Sequence, residues 1–451
     1  MDDNILIAVK NFIKASLELL KENYHEKPLP DLIEPFRIFT ENSWEINYRR
    51  SFGNESFLFK NYYNEICTMP ETLVLIEEIQ QEKGLYLVQA SNDDNKIRWI
   101  NTDLLKLLAQ YLNICGSLIY DESILESVYN RIKASWIQEY VKVSVIAPLL
   151  CFDSNTDRIQ LSEQLVLEPF TLEEKGKIWL ENGYISSQEF VACKWKLRYS
   201  FERKKSDPYG LTSELINSIT RCITALRLLQ PGNVGIQAYF EIIEPPCDIN
   251  AAINGATGTV EMQFSLPFYV KRFSMDEYVH SDENTEKLLL IYKKLSDSSI
   301  SKKLAALNVG IRRFNYTYSR ESVEDKLIDL TICLESIILF GIKDELRYRL
   351  SLRGATLLGE LENPHQSEKI LKALYDVRSK IVHEGKSLIE LRDKHGTVFG
   401  ISFDRFLVET HEICRKVINT NLLQIRKDFG LAEIYNQLDE KIITGIGINV
   451  T

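Results

Sequence analysis

Residues 364–385 read PHQSEKILKALYDVRSKIVHEG, and this stretch decides the C-terminal half of the chain. Ile370, Leu374, Val377 and Ile381 recur at helical spacing and define one apolar stripe. Asn363 stands where a helix cap belongs, and Pro364 occupies the first helical position. Gly385 sits just past the end, as a C-terminal stop does. The same punctuation recurs outward. SVEDKLIDLTICLESIILFG (322–341) opens on Ser322, with Asp325 three residues on, and stops at Gly341. TEKLLLIYKKLSD (285–297), ELRYRLSLRGATLLGEL (345–361) and DRFLVETHEICRKVINTNLL (404–423) complete five helices. No period of 20 to 50 residues repeats, so 285–425 is expected to be a compact helical bundle, with 426–451 as a tail. The loop 386–403 is long for a bundle.

Upstream, 141–284 changes character. VKVSVIAPLLCF, DRIQLSEQLVLEPF, EFVACKWKLRYSFER, VGIQAYFEII and TVEMQFSL carry β-branched and aromatic residues in partial alternation. Pro231-Gly232 and Asn254-Gly255 are turn signals. One helix interrupts the strands, with Leu211, Leu215, Ile219, Cys222 and Leu226 on one face. Residues 1–140 read as mixed and mostly helical, beginning with Ile5, Val9, Ile13, Leu17 and Leu20 on one helical stripe. The expected class is α+β: a β-rich middle region between a mainly helical N-terminal region and an all-α bundle.

The chain has 451 residues, 45% hydrophobic and 26% charged, an ordinary globular mixture. Its net charge of −10 argues against a polybasic coat for nucleic acid or membrane. The longest apolar run, 143–152, is ten residues broken by Pro148, too short to span a bilayer. The N-terminus lacks a basic-apolar leader, so a cytoplasmic protein without a membrane partner is expected. No two of the eight cysteines form a CxxC pair, so no metal and no cofactor is expected. The cysteines read as buried thiols. Phosphate loops, HExxH and GxSxG are all missing.

His25, His280, His365, His395 and His411 read as surface residues. His383 differs, because it closes an amphipathic helix five residues after Arg378. Arg378 has Leu371, Leu374, Tyr375, Ile381 and Val382 at helical offsets, so it is expected to be partly buried and to need a partner. Glu335 lies among Ile328, Ile332, Ile338 and Leu339, and is the candidate. Taken on the residues alone, a Glu335–Arg378 pair reads first as a buried strut that fixes helix register, and otherwise as part of a reactive site.

Arg378-Ser-Lys-Ile-Val-His383 resembles the R-x4-6-H motif of HEPN domains. Residues 310–390, in the order RRFNYTYSRESVEDKLIDLTICLESIILFG, ELRYRLSLRGATLLG and ILKALYDVRSKIVHEG, resemble the Apea-like branch, and weaker likeness reaches back to about 145. The resemblance implies an all-α HEPN bundle and a metal-independent endoribonuclease with Arg378 and His383 as the catalytic pair. Ser379 replaces the Asn, Asp or His that many such motifs place after the arginine, and Glu335 and Ser379 are the expected orienting residues. Imidazole suits proton transfer near neutral pH, and guanidinium suits a phosphate in its transition state. Residues 341–382 hold eight Lys or Arg against six Asp or Glu, so Arg349, Arg353, Lys380 and Lys386 are candidate RNA contacts. Five residues turn an ideal helix by about 500°, which leaves Arg378 and His383 about 140° apart. A cleft shared by two copies is therefore expected, giving a homodimer or larger assembly. The implied role is antiviral, of the abortive-infection type, with residues 1–284 sensing a trigger or restraining the nuclease. The alternative is a non-catalytic HEPN module that binds RNA or a protein partner.

Overall fold

The computed structural model describes residues 4–26, 29–39, 44–52, 55–81, 93–137, 140–172, 174–175, 178, 193–204, 213–236, 238–244, 259–263, 278–359, 363–394 and 403–444. The chain is mixed α and β, mostly helical, with a small antiparallel sheet. Leu211, Cys247, Asn254-Gly255 and His395 lie outside the described residues.

The N-terminal region holds α1 (Asn4–Glu22), the antiparallel pair β1 (Asp31–Phe39) and β2 (Trp44–Phe52), then α2 (Glu55–Cys67), α3 (Pro70–Gln81), α4 (Asp93–Cys115) and α5 (Glu122–Ile137). Its apolar stripes converge on one core. Val9, Phe12 and Ile13 of α1 meet Leu58, Leu75, Leu108 and Leu125 there.

The middle sheet is built from β3 (Tyr140–Leu150), β4 (Phe152–Ser154), β5 (Ile159–Gln160), β6 (Leu165–Pro169) and β7 (Trp195–Lys204). After α6 (Ser213–Leu229) come β8 (Gly235–Ile236), β9 (Tyr239–Glu244), β10 (Thr259–Gln263) and β11 (Tyr278–His280). Seven strands form the main sheet in the order β10-β9-β3-β7-β6-β5, with β8 also on β3. Its β3–β7 register sets Val143 opposite Phe201 and Val145 opposite Tyr199. Alternation then sends Val141, Val143, Val145 and Ala147 toward α6, whose Leu215, Ile219, Cys222 and Leu226 answer them. Ile146, Phe240 and Ile242 point to the opposite face. β11 pairs in parallel with β4 and stacks Tyr278 on Phe152, ring centroids 5.5 Å apart.

The helical region comprises α7 (Thr285–Ser296), α8 (Ala305–Tyr316), α9 (Val323–Ile338), α10 (Leu346–Leu358), α11 (Pro364–Glu384), α12 (Leu388–Lys394), α13 (Phe403–Gln424) and α14 (Leu431–Thr444). The start signals operate as the sequence suggests. Ser322 Oγ accepts from Asp325 N–H at 3.2 Å, and Asn363 accepts from the amides of His365 and Gln366. Gly385 adopts φ 64° and turns its amide to Lys380 O, ending α11. Gly354 permits the closest approach of α10 to α11, since a Cβ there would stand 2.4 Å from Leu371 Cδ1.

Three findings change the expected outline. The segment expected as a tail carries α14, which buries Leu431, Ile434, Tyr435 and Leu438 against the bundle. Part of the long 386–403 loop is the short helix α12. One buried cluster runs from Val141 to Leu438, through the sheet, α6 and the bundle, so 284/285 marks no break in the apolar core. His280, expected at the surface, is buried, and His411, expected there too, is half-buried. His280, the last residue of β11, has its Nε2 2.9 Å from Thr285 Oγ1. His411 sits on the inner face of α13.

Candidate active site

The apolar stripe of α11 roots the candidate site. Ile370, Leu371, Leu374 and Val377 are buried, so the helix is clamped along most of its length. In its last turn Ile381 still packs on the core, while Val382 and His383 are exposed. Arg378 lies at the boundary between the two and is half-buried.

Arg378 Nη1 stands 3.4 Å from His383 Nε2 within one chain. The expected 140° separation concerned Cα positions on an ideal helix. The long arginine arm crosses that arc along the helix surface, so the geometric reason for a site shared between copies does not hold. A guanidinium can only donate, so Nε2 is the acceptor, which places the imidazole proton on Nδ1.

Glu335 and Arg378 are neighbours on α9 and α11 without being bonded. Burial pushes the Glu335 carboxyl above its ordinary range, against the opposing pull of Arg378. Among the described residues no ion pair within 4.0 Å joins them, and Arg378 Nε is buried with no hydrogen-bond partner. The expected charge-assisted bond is therefore not formed, because the guanidinium reaches along its own helix toward His383. Ser379 and Lys380 are half-buried beside it. Lys386 pairs with Glu384 just past the turn.

Of the other expected RNA contacts, Arg349 is partly exposed and 3.6 Å from Glu345. Arg353 is a correction. It is only 4% exposed, grips Asp439 of α14 through Nε at 2.8 Å and Nη2 at 2.5 Å, and donates to Ile338 O at 2.9 Å. Its guanidinium also lies 5.1 Å from the Tyr435 ring centroid. Arg353 therefore ties α10 to α14 and to the end of α9, and is closed to RNA. The four-residue spacing from Arg349 suggested one face, but α14 covers that face.

Two features escaped the sequence reading. Arg347 forms a two-pronged pair with Asp376, both bonds 2.7 Å, and fixes α10 against α11 near Arg378. A buried polar cluster joins α6, α8 and α13. There Arg227 Nη1 donates to Asn315 Oδ1 at 3.0 Å, Arg415 Nε donates to Arg227 O at 2.8 Å, and His411 Nε2 is 3.1 Å from Thr317 Oγ1. Burial, aided by Arg415 and Arg227, pushes the His411 pKa down to about 3, so this half-buried imidazole is neutral. Only its helical phase, beside Cys414 and Ile418, could have signalled this.

Among the described residues no group of three or more His, Cys, Asp or Glu could hold a metal ion, and no helix is long and apolar enough to cross a membrane. Compared with known proteins, the chain matches no family model, no curated sequence and no solved structure.

Proposed function

We propose that the chain is an endoribonuclease of the HEPN kind, with Arg378 and His383 as its cleavage pair. The observation that carries this reading is the 3.4 Å approach of Arg378 Nη1 to His383 Nε2 at the exposed end of α11. It brings a fixed cation and an imidazole to one place where a phosphate can reach both.

The chemistry follows from those two groups. The ribose 2′-oxygen attacks the neighbouring phosphorus and gives its proton to His383 Nε2. Arg378 holds the non-bridging oxygens as charge gathers on them. The phosphorus–O5′ bond breaks, and the 5′-oxygen leaves with a proton from solvent or a second imidazole. The products are a 2′,3′-cyclic phosphate and a 5′-hydroxyl. Arg349, Lys380 and Lys386 remain as the basic surface for the strand, and Glu335 and Ser379 set the surroundings of Arg378. A homodimer with facing α11 ends would supply the second imidazole. In the same reading, residues 1–284 restrain the pair until a trigger arrives, as an antiviral effector requires.

His383→Ala should lower cleavage of purified RNA by at least about 100-fold while leaving the thermal midpoint nearly unchanged, because an exposed imidazole carries little packing. Cleavage should survive EDTA. Equal product from wild type and variant would sink the proposal. RNA binding by both, with no cyclic-phosphate ends from either, would favour the non-catalytic alternative.

A further inference from the structure

Cys151 and Cys193 lie at matching ends of two paired strands. In the β3–β7 register, Ala147 faces Leu197 and Pro148 faces Lys196. Carried on past Pro148, that register sets Cys151 opposite Cys193. Contacts beyond the ladder keep the two segments alongside each other. Phe170 N–H donates to Lys194 O at 2.9 Å, so the line of β7 continues past Trp195. Phe152 meets Trp195 edge to face, ring centroids 5.6 Å apart, and Lys194 pairs with Asp153. The two cysteines accordingly fall in one small apolar cluster with Leu150, and Phe170 packs against it. Both are thiols. Opposed residues of an antiparallel pair have Cα atoms about 4.5–5.5 Å apart, and disulfides span Cα separations of about 4.4–6.8 Å.

The surroundings of this pair differ from those of Cys333 and Cys414, which share a hydrogen bond between α9 and α13. Those two are fully buried, and burial holds the Cys414 thiol well above its ordinary range. Cys151 and Cys193 are 7% and 3% exposed, and Lys194 beside Cys193 is at the surface. A cation also stands near. Burial pushes the Lys175 ammonium down, and the Cys193 sulfur opposes that push. An ammonium near a thiol favours the thiolate, the form that oxidants meet. Cys151 takes φ 55°, in the left-handed region, and the strand β3 ends just before it.

We propose that Cys151 and Cys193 are a peroxide-sensitive dithiol that closes to a reversible disulfide between the ends of β3 and β7. The Cys193 thiolate attacks one oxygen of hydrogen peroxide, becomes a sulfenic acid and releases hydroxide. The Cys151 sulfur then attacks the Cys193 sulfur, and the sulfenic oxygen leaves as a second hydroxide. The two thiol protons turn both hydroxides into water, so the pair loses two electrons and one peroxide gains them. The site stands independently of the ribonuclease reading.

Peptide mapping of the full chain tests it. Trypsin separates the two residues, because 143–158 contains Cys151 alone among the cysteines and 178–194 contains Cys193 alone. The folded chain is treated with hydrogen peroxide, blocked with N-ethylmaleimide in denaturant, digested and weighed. Peptides 143–158 and 178–194 are expected joined, with the loss of two hydrogens. Dithiothreitol before blocking should return both as maleimide adducts. Cys333 and Cys414 should carry maleimide throughout. Cys193→Ser should give no joined peptide and leave Cys151 as its maleimide adduct. The proposal is overturned if Cys151 and Cys193 still take maleimide after peroxide. It is equally overturned if either passes to a sulfinic acid without joining, or if Cys333 and Cys414 join in their place.

Discussion

Glu335 and Arg378 lie side by side on α9 and α11, yet burial outweighs the attraction of the arginine and raises the carboxyl's pKa. The folded state thus holds this proton more tightly than the unfolded chain does. Stability from the group is largest at or below its ordinary value, falls as pH rises from there to the raised value, and stays low above it. Glu335→Gln keeps the shape and removes that dependence. It should be at least as stable as wild type at pH 8, with the advantage shrinking toward pH 4, as read from urea melts at several pH values. A loss of more than about 1 kcal/mol at pH 8 would show that Arg378 uses the carboxylate charge after all. Sequence alone located the pair, because apolar neighbours at helical offsets mark both residues. It could not fix the bond, since the direction of a long arginine arm depends on what lies beyond its own helix.

At the scale of elements, Arg353 carries a distinct expectation. Its bonds to Asp439 and to Ile338 O hold α14 and α9 on α10. Arg353→Ala leaves Asp439 without its partner and a void beside Tyr435, and should cost about 3 kcal/mol or more in a denaturant melt. Any RNA cleavage by this variant should fall only with the folded fraction. If stability held while cleavage vanished, Arg353 would be a substrate contact and the structural assignment would fail. Helix starts and stops were the most legible elements, because Ser322, Asn363, Pro364 and Gly385 act through local backbone bonds. α14 was not legible as part of the bundle. Leu431, Ile434, Tyr435 and Leu438 form a short stripe whose value depends on Arg353, 86 residues from Asp439. The partial burial of His411 was hidden for the same reason, since its neighbours Phe314, Tyr318 and Thr317 come from elsewhere in the chain.

For the whole molecule, the distribution of the core matters most. The cluster from Val141 to Leu438 spans sheet, α6 and bundle, while Ile5 to Tyr129 form their own cluster. A fragment starting at 140 should therefore melt cooperatively by circular dichroism. A fragment of 285–451 should not, because it lacks Leu215, Ile219, Cys222 and Leu226 of α6 and leaves Arg415 without the Arg227 carbonyl. A sharp melt from the shorter fragment would show that the bundle is a self-sufficient unit.

The last turn of α6 ends on carbonyls that its own helix cannot satisfy. Arg415 takes the carbonyl of Arg227, and Asn419 takes that of Leu228. These partners lie 188 and 191 residues further along the chain. At ordinary elongation rates of about 5–20 residues per second, some 10–40 s of synthesis separate the helix from its caps. Throughout that interval the nascent sheet and α6 stand outside the ribosome with open polar ends and an uncovered apolar face. The assembly of this region is thus completed only once α13 has been made, and a message truncated before residue 403 yields a product that chaperones or proteases must handle.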